Sequence, residues 1–168
     1  MALFAGVPKG SEEVTSNILR SGCACLNEDI RYPHTNLFAG GGSALPLKSD
    51  VDPELLLQLQ FMQTISLTTI ILGLPENSDA CPKTIKLFVN KANMGFDDAK
   101  EMNPVQQLDI VQGEKMVTVN LLATKWTRTD TITIFVEDNH GADVTELHSL
   151  RMFGKPLMGT DVSQIKKC

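Results

Sequence analysis

From residue 55 onward, apolar and polar positions alternate with a period of two, the spacing that sends one set of side chains to a buried face and the other to water. Leu57, Leu59 and Phe61 fall on one face, Gln58 and Gln60 on the other. Residues 67–72 form a near-continuous apolar run. Residues 84–90 alternate Ile85, Leu87 and Val89 against Thr84, Lys86 and Asn90. In 116–122 Val117, Val119 and Leu121 share a face, in 131–136 Ile132, Ile134 and Val136 do, and 147–153 closes the set. Turn-forming clusters separate these runs at 73–82, 125–130 and 139–143. The long gap 91–115 predicts one short helix near 97–102. No helix of crossover length falls between strands, which argues against a parallel α/β sheet. The pattern predicts an all-β fold of two packed antiparallel sheets, a sandwich or jelly roll.

The first third of the chain reads differently. Residues 1–10 are expected to form a flexible tail and 11–168 one domain, without an internal repeat. Ser11 predicts the cap of a short N-terminal helix, with Glu12 and Glu13 in its first turn, Val14 and Ile18 on one face and Gly22 at its end. Residues 27–46 look irregular, with Pro33, Pro46 and the run Gly40-Gly41-Gly42-Ser43.

Composition narrows the function classes. A chain of 168 residues buries roughly 70% of the surface its unfolded form exposes and needs no covalent staples. Apolar residues at 42% and charged residues at 21% suit a globular protein. A net charge of -5 argues against sequence-independent binding of nucleic acid and against docking on an anionic membrane. The best candidate for a membrane span, 65–74, is short and broken by Ser66, Thr68, Thr69 and Gly73. The N-terminus lacks the basic start and long apolar stretch of a secretory signal. Cys23, Cys25, Cys81 and Cys168 lack the spacing of a secreted disulfide framework, and no Asn lies in a glycosylation sequon. The expectation is a monomer in a reducing compartment, the cytoplasm and by extension the nucleus.

Candidate chemistry is sparse. Cys23-Ala24-Cys25 is not a C-x-x-C pair, and its single intervening residue would strain a disulfide. Asp50-x-Asp52-x-Glu54 opens like a calcium loop, but Leu55 stands where the turn glycine belongs and Phe61 where a bidentate carboxylate belongs. It reads as a solvated acidic turn before a strand. His34, His140 and His148 show no metal-ligand spacing. His140 sits in an Asn-His-Gly turn, and His148 faces water or a loop. The glycine run at 40–43 is not followed by the Gly-Lys-Ser/Thr of a phosphate loop. Met94, Met102, Met116, Met152 and Met158 read as core fillers. Trp126 and Arg128, between two strands, are either partner anchors or, for Trp126, a plug over the end of the sandwich. No catalytic residue, metal site or cofactor is expected.

Several ordered segments carry a resemblance: Cys25-Leu26-Asn27-Glu28, the stretch 47–56 around Asp50, Pro82-Lys83-Thr84-Ile85-Lys86-Leu87-Phe88-Val89-Asn90, Met94-x-Phe96, Thr133-Ile134-Phe135-Val136 with Asn139 after it, and Gly154-x-Pro156. In that order they resemble the PITH domain family, known at the C-terminus of thioredoxin-like protein and in stand-alone proteins. The match runs from about 11 to 163. The resemblance implies a jelly roll similar to galactose-binding domains, association with the regulatory particle of the proteasome, and no catalysis. Neither a thioredoxin domain nor its C-x-x-C pair is expected here, so that activity is not expected to carry over. Where the family often has Lys-Phe-Gln-Asn-Val, this chain reads Ala123-Thr124-Lys125-Trp126-Thr127-Arg128-Thr129. The expected partner contacts are the turn Asp50, Asp52 and Glu54, the turn Asn139-His140, and Trp126 with Arg128. Two rival functions follow from the same residues: a carbohydrate-binding jelly roll with Trp126 as platform, and thiol redox chemistry at Cys23 and Cys25.

Overall fold

The computed structural model describes residues 7–38, 45–91 and 93–157. The strands are β1 (Glu12–Glu13), β2 (Ala24–Leu26), β3 (Leu47–Lys48), β4 (Leu55–Gly73), β5 (Pro82–Val89), β6 (Gln106–Asp109), β7 (Met116–Asn120), β8 (Thr129–Asn139), β9 (Glu146–Leu147) and β10 (Ser149–Pro156). One helix, α1 (Phe96–Glu101), lies between β5 and β6.

The 19-residue β4 organises the molecule. Its first part pairs with β2 on one side and β8 on the other, and β8 continues to β5 and β6. Its second part pairs with β7 and β10, and β10 continues to β1. The two segments read from the sequence as separate strands are thus one strand shared by two antiparallel sheets. The change of sheet falls between Gln60 and Ile65, where the register against β8 breaks. The polar Gln63 and Thr64 and the exposed Met62 occupy this bend.

A second irregularity explains the loss of alternation in 67–72. Phe153 lies opposite Thr69 but Gly154 opposite Leu67, so Thr68 is an extra residue in the ladder. The inward set therefore switches from Ile65 and Leu67 to Ile70 and Leu72. The bulge brings the backbones together, and a Cβ on Gly154 would stand 2.1 Å from the Ser66 carbonyl oxygen, so only glycine fits.

The inward residues of both sheets form one core. Leu55, Leu57, Leu59, Ile85, Leu87, Ile132, Ile134 and Val136 face Ile65, Ile70, Leu72, Val119, Leu150 and Met152. On the outer side of the first sheet a smaller cluster buries Leu56, Phe88 and Phe135 beneath Met94 and Ala99, with Phe96 and Met102 packed at its margin. The rings of Phe96 and Phe135 sit 6.1 Å apart and tilted. The start of β4 and the middle of β8 are therefore covered on both faces, which is why 55–57 reads Leu-Leu-Leu.

The short N-terminal helix is replaced by two 3-10 turns, Thr15–Asn17 and Arg20–Gly22. Glu12 and Glu13 pair instead with Gly154 and Phe153, which takes them out of a first helical turn. Val14 and Ile18 are nonetheless both buried, Val14 held by its N–H to the Met152 carbonyl at 2.8 Å and Ile18 bridging to Phe61. The helix expected at 97–102 is α1. Strand β6 was not expected, since of its four residues only Leu108 is apolar. The glycine run 40–43, Met158 and Cys168 lie outside the described residues.

Candidate functional site

At the end of the first sheet where β4 begins, three loops are tied into one rim. Segments 27–29 and 48–50 run antiparallel: Asp50 N–H donates to the Asn27 carbonyl at 2.8 Å, Glu28 bridges to Ser49, and Asp29 N–H donates to the Lys48 carbonyl at 2.8 Å. Asn27 holds the corner. Its φ of 67° is left-handed, a conformation Asn tolerates better than most side chains. Its amide nitrogen donates to the Glu54 carbonyl at 2.7 Å and to Asp52 Oδ1 at 2.8 Å. Asp52 Oδ1 also accepts the Glu54 N–H at 3.0 Å. From the other side, Thr145 Oγ1 donates to the Pro53 carbonyl at 2.7 Å, and Ser49 and Thr145 exchange bonds of 2.8 and 3.0 Å.

The expected contact residues divide sharply in this setting. Asp52 serves Asn27 and its own turn. Glu54 is paired with Lys100 of α1 at 2.9 Å, a contact that raises the lysine's pKa, with Asp97 and Asp52 adding to it. Asn139 is not an accessible contact. It is 5% exposed, and its amide donates to Val144 O and Thr145 Oγ1 while its Oδ1 accepts the Gly141 N–H, closing the turn from within. His140 is half-buried, and its Nε2 lies 2.9 Å from the Ile110 carbonyl. A carbonyl only accepts, so this nitrogen carries the proton. Among these acids Asp50 alone is exposed.

The family-motif residues are mostly spent inside the fold as well. Glu28 accepts both the backbone N–H and the ring Nδ1 of His34 at 2.8 Å. Cys25 packs against the main core, Leu26 stays partly exposed on β2, and Phe135 anchors the cluster under α1.

Trp126 and Arg128 lie in a different part of the molecule from this rim. Trp126 is 0% exposed and belongs to the main core, so it plugs the sandwich and offers no platform. Its Nε1 has no hydrogen-bond acceptor among the described residues. Arg128 is exposed, and its turn is fixed by Asn90, whose amide donates to the Arg128 carbonyl at 2.8 Å and whose Oδ1 accepts the N–H groups of Asp130 and Thr131. Tyr32 carries the Lys48 ammonium 4.4 Å from its ring centre.

Cys23 and Cys25 are free thiols. Burial pushes both upward, and the Glu28 charge adds to the effect at Cys25. That is the direction opposite to an attacking thiolate. Cys81, fully buried, is raised for the same reason. Among the described residues, no group of three or more His, Cys, Asp or Glu is placed to hold a metal ion, and no helix is long and apolar enough to cross a membrane.

Two residues on the rim escaped the sequence reading. Ile30 is 90% and Val51 77% exposed. Each lies in a tight turn, in Asp29-Ile30-Arg31 and Asp50-Val51-Asp52. The only signal in the sequence is this repeated placing of a β-branched residue between charges.

The architecture and the rim together define a galactose-binding-type jelly roll with an internally braced loop end. A solved structure of the same fold is the family 32 carbohydrate-binding module from Clostridium perfringens NanJ in complex with galactose, with a TM-score of 0.64 and 10% identity over 85% of this chain and 98% of that one. The likeness establishes the fold. The PITH domain model matches residues 5–168. Thioredoxin-like protein 1 of Schizosaccharomyces pombe is 30% identical over 149 residues, 85% of this chain and 51% of the relative. PITH domain-containing protein 1 of Homo sapiens is 31% identical over 113 residues, 65% of this chain and 51% of the relative. The chain belongs to the PITH domain family, and it spans about half the length of these two relatives.

Proposed function

We propose that this chain is a non-catalytic protein-binding module that associates with the regulatory particle of the proteasome, in the cytoplasm and nucleus. The observation that carries the binding role is the construction of the rim. Asn27, Asp52, Asn139 and Thr145 direct their polar groups at backbone and at one another, so they brace the loops. A braced loop end loses little conformational freedom on association, which is the main cost a binding surface has to overcome. Family membership supports the partner. The half-buried thiols of Cys23 and Cys25, raised in pKa, argue against redox chemistry.

The test is a pull-down with the full chain, tagged at its N-terminus, from lysate of its own organism, with retained proteins identified by mass spectrometry. Recovery of regulatory-particle subunits in a complex that survives a salt wash is the expected result. Their absence from the retained fraction overturns the assignment of the partner.

A further inference from the structure

We infer that the docking surface is the edge of the rim carrying Ile30 and Val51, and that its partner is a protein surface with apolar sockets flanked by a basic side chain. This rests on the protein-binding role proposed above and names the surface that performs it.

The two turns are neighbours. Val51 N–H donates to Asn27 Oδ1 at 3.3 Å, Asp50 N–H donates to the Asn27 carbonyl, and the Tyr32 N–H closes the Ile30 turn on the Asp29 carbonyl at 2.8 Å. The Asp50 carboxylate is near enough to Arg31 to stabilise its charge. The rim thus holds two nearly fully exposed β-branched side chains with Asp50 beside them. Exposed Ile and Val have little rotamer freedom to lose, so burying them against a partner is cheap in entropy.

The charges on the rim say what kind of partner fits. Arg31 is spent on Asp29, through bonds of 3.2 Å from Nε to Oδ1 and 3.0 Å from Nη2 to Oδ2. Glu54 is paired with Lys100, and Asp52 with the Asn27 amide. Among the described residues the Asp50 carboxylate has neither hydrogen bond nor ion pair. With Arg31 bonded to Asp29, the apolar edge keeps a negative charge that no hydrogen bond or ion pair takes up, on a chain whose net charge is -5. A Lys or Arg on the partner complements it. A second copy does not, since a two-fold pairing of this edge would set Asp50 against its own image.

The experiment measures binding of the full chain to purified proteasome regulatory particle, with the unaltered chain and the variants I30A, V51A, I30D/V51D and D50K. The three altered positions, Ile30, Asp50 and Val51, are exposed, so near-ultraviolet circular dichroism and the unfolding midpoint serve as fold controls. Each alanine variant is expected to weaken binding by about ten-fold, and I30D/V51D to abolish it. The D50K variant is expected to lose on the order of ten-fold at low salt, with a smaller loss at high salt. Binding of the unaltered chain with undiminished binding of I30D/V51D overturns the surface and leaves the partner standing. No binding by the unaltered chain overturns both. Concentration-dependent dimerisation that I30D/V51D abolishes would assign the edge to self-association and overturn the stated partner.

Discussion

Asn27 shows how a single polar residue can set the geometry of a loop end. Its left-handed backbone turns the chain away from β2, and its amide reaches Asp52 and Glu54, far along the sequence. Replacing it by alanine is expected to cost about 2–3 kcal/mol, from the strained backbone and the lost bonds. Glycine keeps the backbone and loses only the bonds, so N27G should cost about 1–2 kcal/mol. Urea unfolding of both variants, with amide exchange at Asp50 and Val51 as a local readout, separates the two effects. Trp126 poses the opposite case, a buried donor without an acceptor among the described residues. Truncation to alanine is expected to remove about 3–5 kcal/mol. Phenylalanine keeps much of the volume and discards the orphaned N–H, so W126F should cost no more than about 1–2 kcal/mol. Equal losses in the two variants would mean that the indole nitrogen is well satisfied. Asp29 makes the rim sensitive to acid. The Arg31 side chain, then the Arg31 N–H at 2.9 Å, hold its carboxyl below the usual range. A depressed carboxyl contributes order that is present above its unfolded value and lost as pH falls through its folded one. Exchange of the Arg31 amide should therefore stay slow through the ordinary carboxylate range and accelerate only below it. None of these residue roles was legible in the sequence. Asn27 and its acceptors at 52 and 54 show no local pattern, and one Trp in a turn reads equally well as plug or anchor.

At the scale of elements, legibility follows periodicity. Strands β5 and β8 alternate cleanly, and the sequence locates them within a few residues. The two parts of β4 are also legible, but not their union, because the bend at 61–64 carries the polar residues that elsewhere mark a turn. The bulge at Thr68 hides the alternation of the following stretch, and its partner signal, Gly154, lies on another strand. The N-terminal segment offers helical spacing at Val14 and Ile18, yet the open edge of β10 takes up the backbone of Glu12 and Glu13 and sheet pairing prevails. The exposed pair Ile30 and Val51 has no period at all, so the edge proposed for docking could be found only in three dimensions. Helix α1 is well predicted but weakly held. It has six residues and rests on the small outer cluster, with Glu54–Lys100 as its tie to the rim. Its amides, Ala99 and Met102 among them, should exchange by a local opening, well before Leu57 and Ile134 in the two-sided core of β4 and β8. Simultaneous exchange of both sets would show that the outer cluster unfolds only with the whole domain.

For the whole molecule, the sandwich is a scaffold whose loops can change purpose without a change of fold. The NanJ module and this chain share the architecture at 10% identity. Here the single Trp, the expected sugar platform, is in the core, and the loop end displays two aliphatic side chains and an acid. That composition suits a protein surface better than a sugar ring. In the proposed function this chain docks on the regulatory particle through the braced rim. Hydrogen–deuterium exchange of the full chain, alone and bound to purified regulatory particle, tests it most directly. Added protection is expected to be confined to the turns at 27–32 and 49–54, with β6, β7 and the Arg128 turn unchanged. Protection centred on β6 and β7 or on 123–129, with the rim still exchanging as in the free chain, would contradict it.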